Sequence, residues 1–169
     1  MKIIYIFLIL TFIGCKKEEL KTSKSKDIES FLIGDINNDQ INDTAFIYLD
    51  TIKNEEFKDI SIKFSSGIPA LDILQSLGVV IEPTEDLNND KAHEIIIFSR
   101  TNSGWWNTVS VWTFQNKTWN KIAQTEAFIS ESKDFKNRII NENGIFFLIG
   151  NDKWNEEENG NFKKVKIKL

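Results

Sequence analysis

The sequence predicts an all-β domain of antiparallel sheets, and three observations carry the prediction. Apolar and polar residues alternate with a period of two, as in Ile60, Ile62 and Phe64 set against Ser61 and Lys63, the pattern of a half-buried strand. The pair Asn143-Gly144 separates Arg138-Ile139-Ile140 from Ile145-Phe146-Phe147, a strong hairpin signal because a two-residue turn needs positive φ. One acid-rich loop also occurs twice, each copy running directly into a β-type segment.

Taken in order, Ser30-Phe31-Leu32-Ile33 and Thr44 to Leu49 read as strands flanking the first polar loop. Ile60 to Phe64 follows, and Glu94 to Phe98, Val109 to Phe114 and Ile145 to Ile149 are of the same type. The last strand places Val165, Ile167 and Leu169 on one face and Lys164, Lys166 and Lys168 on the other. Lysines along one side discourage a strand edge from pairing with another molecule. Only Pro69 to Leu77 is expected to form a short helix.

The repeated loop is Gly34-Asp35-Ile36-Asn37-Asn38-Asp39-Gln40-Ile41-Asn42-Asp43, recurring as Glu85-Asp86-Leu87-Asn88-Asn89-Asp90-Lys91-Ala92-His93-Glu94. Asp86 follows Asp35 by 51 positions, near the length of a four-stranded propeller blade. A third copy at this spacing would begin near Asn137, where no acid stands at the first position. Turn chemistry alone would account for the Asx content, but not for the same spacing and a matched acid at position nine in both copies.

That spacing suits a hard cation. Calcium takes six to eight oxygens at about 2.3–2.6 Å. A tight loop meets this with side-chain oxygens at positions one, three and five, a carbonyl at seven and a carboxylate at nine. The first loop offers Asp35, Asn37, Asp39, the carbonyl of Ile41, and Asp43; the second offers Asp86, Asn88, Asp90, the carbonyl of Ala92, and Glu94. Three carboxylates in one loop repel one another until a cation joins them. An EF-hand is excluded, because its bidentate Glu at position twelve is replaced by Phe46 and Ile97.

The pattern resembles the FG-GAP or VCBS repeat, the calcium loop of integrin-type β-propeller blades, over about 30–49 and 80–99. The resemblance implies a calcium loop joining two strands of a blade. Where that family has Gly at position six, in a left-handed turn, this chain has Gln40 and Lys91, at a cost of about 1 kcal/mol each. A closed propeller needs at least four blades, and the chain has room for about three. The expectation is an incomplete propeller-like arrangement or a small stack of antiparallel sheets.

The N-terminus bears on address. Lys2 precedes an almost unbroken apolar run, Ile3 to Ile13, closed by Gly14-Cys15. The run is too short for a bilayer core of about 30 Å, which takes about 20 residues, so 1–14 reads as a signal peptide. Cys15 is the one cysteine, so no internal disulfide forms. Phe12-Ile13-Gly14-Cys15 resembles the lipobox of bacterial lipoproteins, with Phe where Leu is commonest; the resemblance implies that Cys15 is acylated and anchors the chain to a membrane, here the outer membrane. Residues 15–28 then form the lipidated cysteine and a flexible tether, too polar to fold, and 29–169 form the β domain. Lys17-Glu18-Glu19 reads either as an ordinary charged linker or, by resemblance, as a surface-export signal, so periplasmic and cell-surface orientations both stand.

The formal net charge is −4, and loss of 1–14 with Lys2 lowers it to −5. A mildly acidic domain without a basic stripe is a poor nucleic-acid binder. His93 is the one histidine, with no cysteine near it, which removes a zinc site or a histidine triad. No nucleophile elbow and no phosphate-binding glycine loop occurs, and acid pairs such as Glu126 and Glu131 are ordinary for an acidic β-protein. Catalysis is not expected. Trp105 and Trp106, in Ser103-Gly104-Trp105-Trp106-Asn107, are the candidate partner-binding residues; side chains of neighbours in an extended chain point oppositely, so one ring belongs to the core. Trp112 and Trp119 fall in strand-like runs and read as core. The expected function is a calcium-stabilised, lipid-anchored binding module with a protein partner. The alternatives are a periplasmic inhibitor of a lysozyme-like toxin, which the family resemblance suggests, and a glycan-binding accessory protein.

Overall fold

A computed structural model describes residues 27–49, 57–158 and 160–169 of the chain. The expected signal segment, Cys15 and most of the tether lie outside the described residues. Eleven strands follow in order: β1 (Asp27–Gly34), β2 (Asp43–Leu49), β3 (Lys58–Phe64), β4 (Leu71–Ser76), β5 (Val79–Pro83), β6 (Ile95–Arg100), β7 (Trp106–Gln115), β8 (Thr118–Phe128), β9 (Ile139–Glu142), β10 (Ile145–Glu156) and β11 (Phe162–Lys168). One 3-10 turn, Ser132–Phe135, is the helical element among the described residues. The fold is all-β, as the alternating sequence implies.

Among the described residues three antiparallel sheets form, none of them closed. Two are four-stranded meanders of the same design, β1-β2-β3-β4 and β5-β6-β7-β8, and the third is β11-β10-β9. The acid-rich loop joins the first and second strands of each meander. Asn143 and Gly144 both take positive φ, 56° and 82°, and make the β9–β10 turn that the sequence signals.

The middle meander is buried on both faces. Along β6, Ile95 and Ile97 join the first meander's Ile33, Ala45, Ile47, Ile62, Leu71 and Ile73 in one core. Ile96 and Phe98 turn the other way and pack with Val109, Val111, Ala123, Ala127 and Leu148 in a second core. This two-sided burial is why 95–98 reads as a continuous apolar run rather than an alternating one. The third sheet lies across β8 so closely that a Cβ on Gly150 would sit 2.6 Å from the Glu126 carbonyl oxygen and nearer still to the Thr125 hydroxyl.

Two boundaries differ from expectation. Pro69 to Leu77 is not a helix: it contains β4, in which buried Leu71 and Ile73 alternate with exposed Asp72 and Leu74. A period of two matches one buried sheet face, whereas a helix would carry Leu71, Leu74 and Leu77 on one side. The tether also ends earlier, because Asp27 already pairs in register with Leu49. At the other terminus β11 is an edge strand of its sheet, with Lys164, Lys166 and Lys168 exposed, as the alternation predicts.

Candidate functional site

The two acid-rich loops share one geometry, built from local hydrogen bonds. In the first, Asp35 accepts the Asp39 amide at 3.1 Å and the Gln40 amide at 2.7 Å, and Asp39 accepts the Ile41 amide at 2.9 Å. In the second, Asp86 accepts the amides of Asp90 at 3.1 Å and Lys91 at 2.9 Å, and Asp90 accepts the Ala92 amide at 2.9 Å. Asn37 and Asn88 each accept the amide two residues on, both at 2.9 Å. Positions four and six are left-handed in both loops: Asn38 and Asn89 at φ 58° and 63°, Gln40 and Lys91 at 69° and 74°. Gln40 and Lys91 thus adopt the strained conformation that the missing glycine predicts.

The acid at position nine anchors each loop to its sheet. Asp43 and Glu94 are fully buried, as is Ile36 at position two, with Leu87 nearly so. The Asp43 carboxylate accepts the Ile36 amide at 3.2 Å and the Ser65 hydroxyl at 2.8 Å. Glu94 accepts the Leu87 amide at 2.6 Å and the Asn88 side-chain amide at 2.7 Å. Burial pushes the Glu94 carboxyl above the usual carboxylate range; the Leu87 amide and Thr113 side chain oppose this, while the charges of Asp90 and Asp86 add to it.

The loops also touch. The His93 amide donates to the Asp35 carbonyl at 2.7 Å, and the His93 ring lies directly against Gly34. The first position of one loop is tied to the eighth of the other. Gly34 is required twice, for its φ of +79° and because a Cβ would fall on the His93 ring, 2.9 Å from Cγ. Gln115, from β7, closes the second loop by donating to Asp90 at 2.5 Å. Ser65, just after β3, and Thr113 and Gln115, in β7, are polar supports that no local spacing reveals, because each arrives from a distant part of the chain.

By the chemistry of its donors each loop suits a hard cation, since every predicted ligand offers oxygen. The side-chain oxygens are turned toward loop amides, and among the described residues no three His, Cys, Asp or Glu side chains gather as a metal-holding group. An ionised carboxylate has about four lone-pair sites, so accepting an amide leaves capacity for a metal. Asp35, Asn37, Asp39, Ile41 and Asp43 share the first loop; Asp86, Asn88, Asp90, Ala92 and Glu94 share the second.

The tryptophan pair divides at the start of β7, with Trp105 in the preceding turn and Trp106 the first strand residue. Trp105 is 58% exposed and Trp106 is buried, its ring edge-on to Phe128 and Phe162 with centroids 5.6 and 4.8 Å away. Trp106 is therefore a core residue and leaves the partner-binding set, whereas Trp105 remains available. Trp119 is half-buried, donates to the Pro69 carbonyl at 2.9 Å and packs at a tilt against the rings of Phe64 and Phe114. Trp112, also half-buried, donates to Ser110 at 2.8 Å. The Trp105 loop follows β6 while the second acid-rich loop precedes it, so the two sites lie at opposite ends of a six-residue strand, about 20 Å apart at the usual strand rise.

Trp154, in β10, is 89% exposed, the most open large apolar side chain among the described residues. Sequence reasoning missed it, although a signal was there: Asp152-Lys153-Trp154-Asn155-Glu156-Glu157-Glu158 has no other apolar residue to share a buried face. Comparison with protein-family models, curated proteins and solved structures yields no match to this chain.

Proposed function

We propose that this chain is a calcium-stabilised, lipid-anchored module of the bacterial envelope that binds a protein partner and catalyses no reaction. What carries the reading is the duplicate loop: the same Asx turns, the same two left-handed positions, and a buried acid at position nine in each copy. The two meanders are read as propeller-type blades of FG-GAP or VCBS character, each bearing its loop between first and second strands. Calcium would be held by Asp35, Asn37, Asp39, Asp43 and the Ile41 carbonyl, and by Asp86, Asn88, Asp90, Glu94 and the Ala92 carbonyl. Its contribution is charge: it offsets the burial of Glu94 beside Asp86 and Asp90 and orders the loops. Cys15 is the proposed acylation site, holding the chain at the outer membrane on its periplasmic or outer side.

Calcium titration of the purified chain tests the reading. Chelator should lower the melting temperature and added calcium restore it, by RT ln(1 + [L]/Kd), about 2.7 kcal/mol at a hundredfold excess over Kd. Asp39→Asn and Asp90→Asn should each reduce two calcium sites to one by calorimetry. Melting indifferent to both calcium and chelator would overturn the calcium claim. A second reading, a glycan-binding accessory, is favoured by the exposed Trp105 ring and competes with the protein-partner reading only.

A further inference from the structure

We propose that the end of the molecule opposite the acid-rich loops is the docking face, and that its occupant is a cationic protein. This rests on the protein-binding reading and deepens it by naming the partner's chemistry and a recognition residue, Trp154. The face is built by two segments distant in sequence. Lys153 in β10 donates to the Ser103 hydroxyl at 3.3 Å and places its ammonium 5.6 Å from the centroid of the Trp106 ring. That contact ties the β10–β11 hairpin to the loop carrying Trp105. Trp106, Phe128 and Phe162 form the apolar base beneath.

Lys153 is engaged with Ser103 and Trp106, while Trp154, in the stretch of β10 where the register shifts between Asn151 and Glu156, stands open to solvent. The outcome is two open indole rings, Trp105 and Trp154, on segments whose bases are pinned. Single exposed apolar side chains are ordinary, but an indole left in water contributes nothing to the fold. Tryptophan is also the residue type most enriched among interface anchors, because it is large and has few rotamers to lose.

Charge complementarity selects the partner. Trp154 is flanked by Asp152, Glu156, Glu157 and Glu158, of which the three glutamates are exposed. Asp152 is held ionised below the usual aspartate range by the Asn155 side chain and Trp154 amide, which donate to it, with help from Lys163. The one lysine inside this run is spent on Ser103 and Trp106. An open indole face amid carboxylates is matched by lysine and arginine side chains, which stack on the ring and pair with the acids. A neutral sugar would use the ring and leave the acids without a role; a second copy of this chain would have to bring the lysine edge of β11 against them.

The test is a fluorescence titration of the full chain with a lysine- and arginine-rich peptide free of aromatic residues, so that all emission comes from the protein. The expected result is a saturable change in tryptophan emission, weakened about tenfold or more by Trp154→Ala. A similar loss is expected from combined Glu156→Gln, Glu157→Gln and Glu158→Gln, and little change from Asp59→Asn with Asp72→Asn on the first meander. The exposure of Trp154 makes its removal harmless to folding, which the melting temperature checks. The proposal is overturned if no saturable change occurs, if Trp154→Ala binds as well as the unaltered chain, or if the distant Asp pair matters as much as the glutamates. It is equally overturned if a neutral oligosaccharide gives the change and the peptide does not, or if Trp154→Ala abolishes a dimer formed without peptide. Repeating the titration with and without calcium separates the two readings. Peptide binding with melting indifferent to chelator defeats the calcium claim alone, while a calcium-dependent melt with no peptide response defeats the docking claim alone.

Discussion

Replacing Gly34 by Ala should be among the most damaging single-methyl changes in the domain. The backbone is left-handed there, at φ +79°, which costs a residue with a Cβ about 1 kcal/mol. The added methyl would also meet the root of the His93 ring, at Nδ1 and Cγ. The His93 backbone cannot retreat, because its amide is bonded to the Asp35 carbonyl at 2.7 Å, so the ring must change its χ1 rotamer to clear the methyl. Overpacking of this kind costs about 1–3 kcal/mol, so the sum is about 2–4 kcal/mol. For a domain of this size that lowers the melting temperature by roughly 5–12 °C. Thermal or urea denaturation of Gly34→Ala, His93→Ala and the double variant decides the matter. The double variant should recover the steric part and keep the conformational part, giving a favourable coupling of about 1–3 kcal/mol. If the single effects simply add, His93 does not fill the space over Gly34, and the contact between the two acid-rich loops is wrong.

Three further outcomes are expected. Gly150→Ala should cost about 3 kcal/mol, because the new methyl would meet the Glu126 carbonyl on β8, backbone that cannot rotate aside; a denaturation midpoint within 2 °C of the unaltered chain, on the order of a neutral change, would count against the crossing of β10 over β8. Burial opposes ionisation of Asp134, yet the Glu131 and Ser130 amides, the Ser130 hydroxyl and Arg138 outweigh it and hold the carboxyl below its ordinary value. Its stabilisation is therefore present above about pH 4, the ordinary aspartate value, and is lost as pH falls through the depressed folded value, so Asp134→Asn should melt lower near neutrality and indistinguishably in strong acid; a deficit that persists in acid would refute the charge argument. Cys15→Ser should incorporate no labelled fatty acid in cells, and labelling that survives the change would remove the proposed anchor.

The fold was legible wherever one sheet face alone is buried. Ile60, Ile62 and Phe64 announce β3, and Val165, Ile167 and Leu169 announce β11, because a period of two is visible in the residues themselves. At β4 the sequence is ambiguous, because Leu71, Leu74 and Leu77 also satisfy a helical spacing; the strand pairs with β3 and leaves Leu74 exposed. The acid-rich loops were legible down to the left-handed Gln40 and Lys91, since their bonds run between residues at most seven apart. Their supports were not, because Ser65, Thr113 and Gln115 lie at least 19 residues away in the chain from the acids they meet. Trp106 followed the same logic: one ring of the pair was expected in the core, but which one depended on Phe162, more than fifty positions downstream.

The placement of the two sites gives the middle meander a mechanical meaning. β6 is clamped between two cores, with Ile95 and Ile97 on one side and Ile96 and Phe98 on the other, and it connects the two sites. The acid-rich loop enters one end of it and the Trp105 loop leaves the other. A cation at the first end therefore cannot touch a partner at the second. What reaches across is the stability of the frame, through backbone bonds such as Thr84 amide to Glu94 carbonyl at 3.1 Å and Leu77 amide to Arg100 carbonyl at 3.1 Å. In the proposed reading, calcium thus sets how often the docking face exists as one surface and does not set its chemistry. Below the melting transition, the affinity of a folded molecule for a cationic partner should follow the Trp154 ring and its neighbouring glutamates, with calcium entering through the fraction folded.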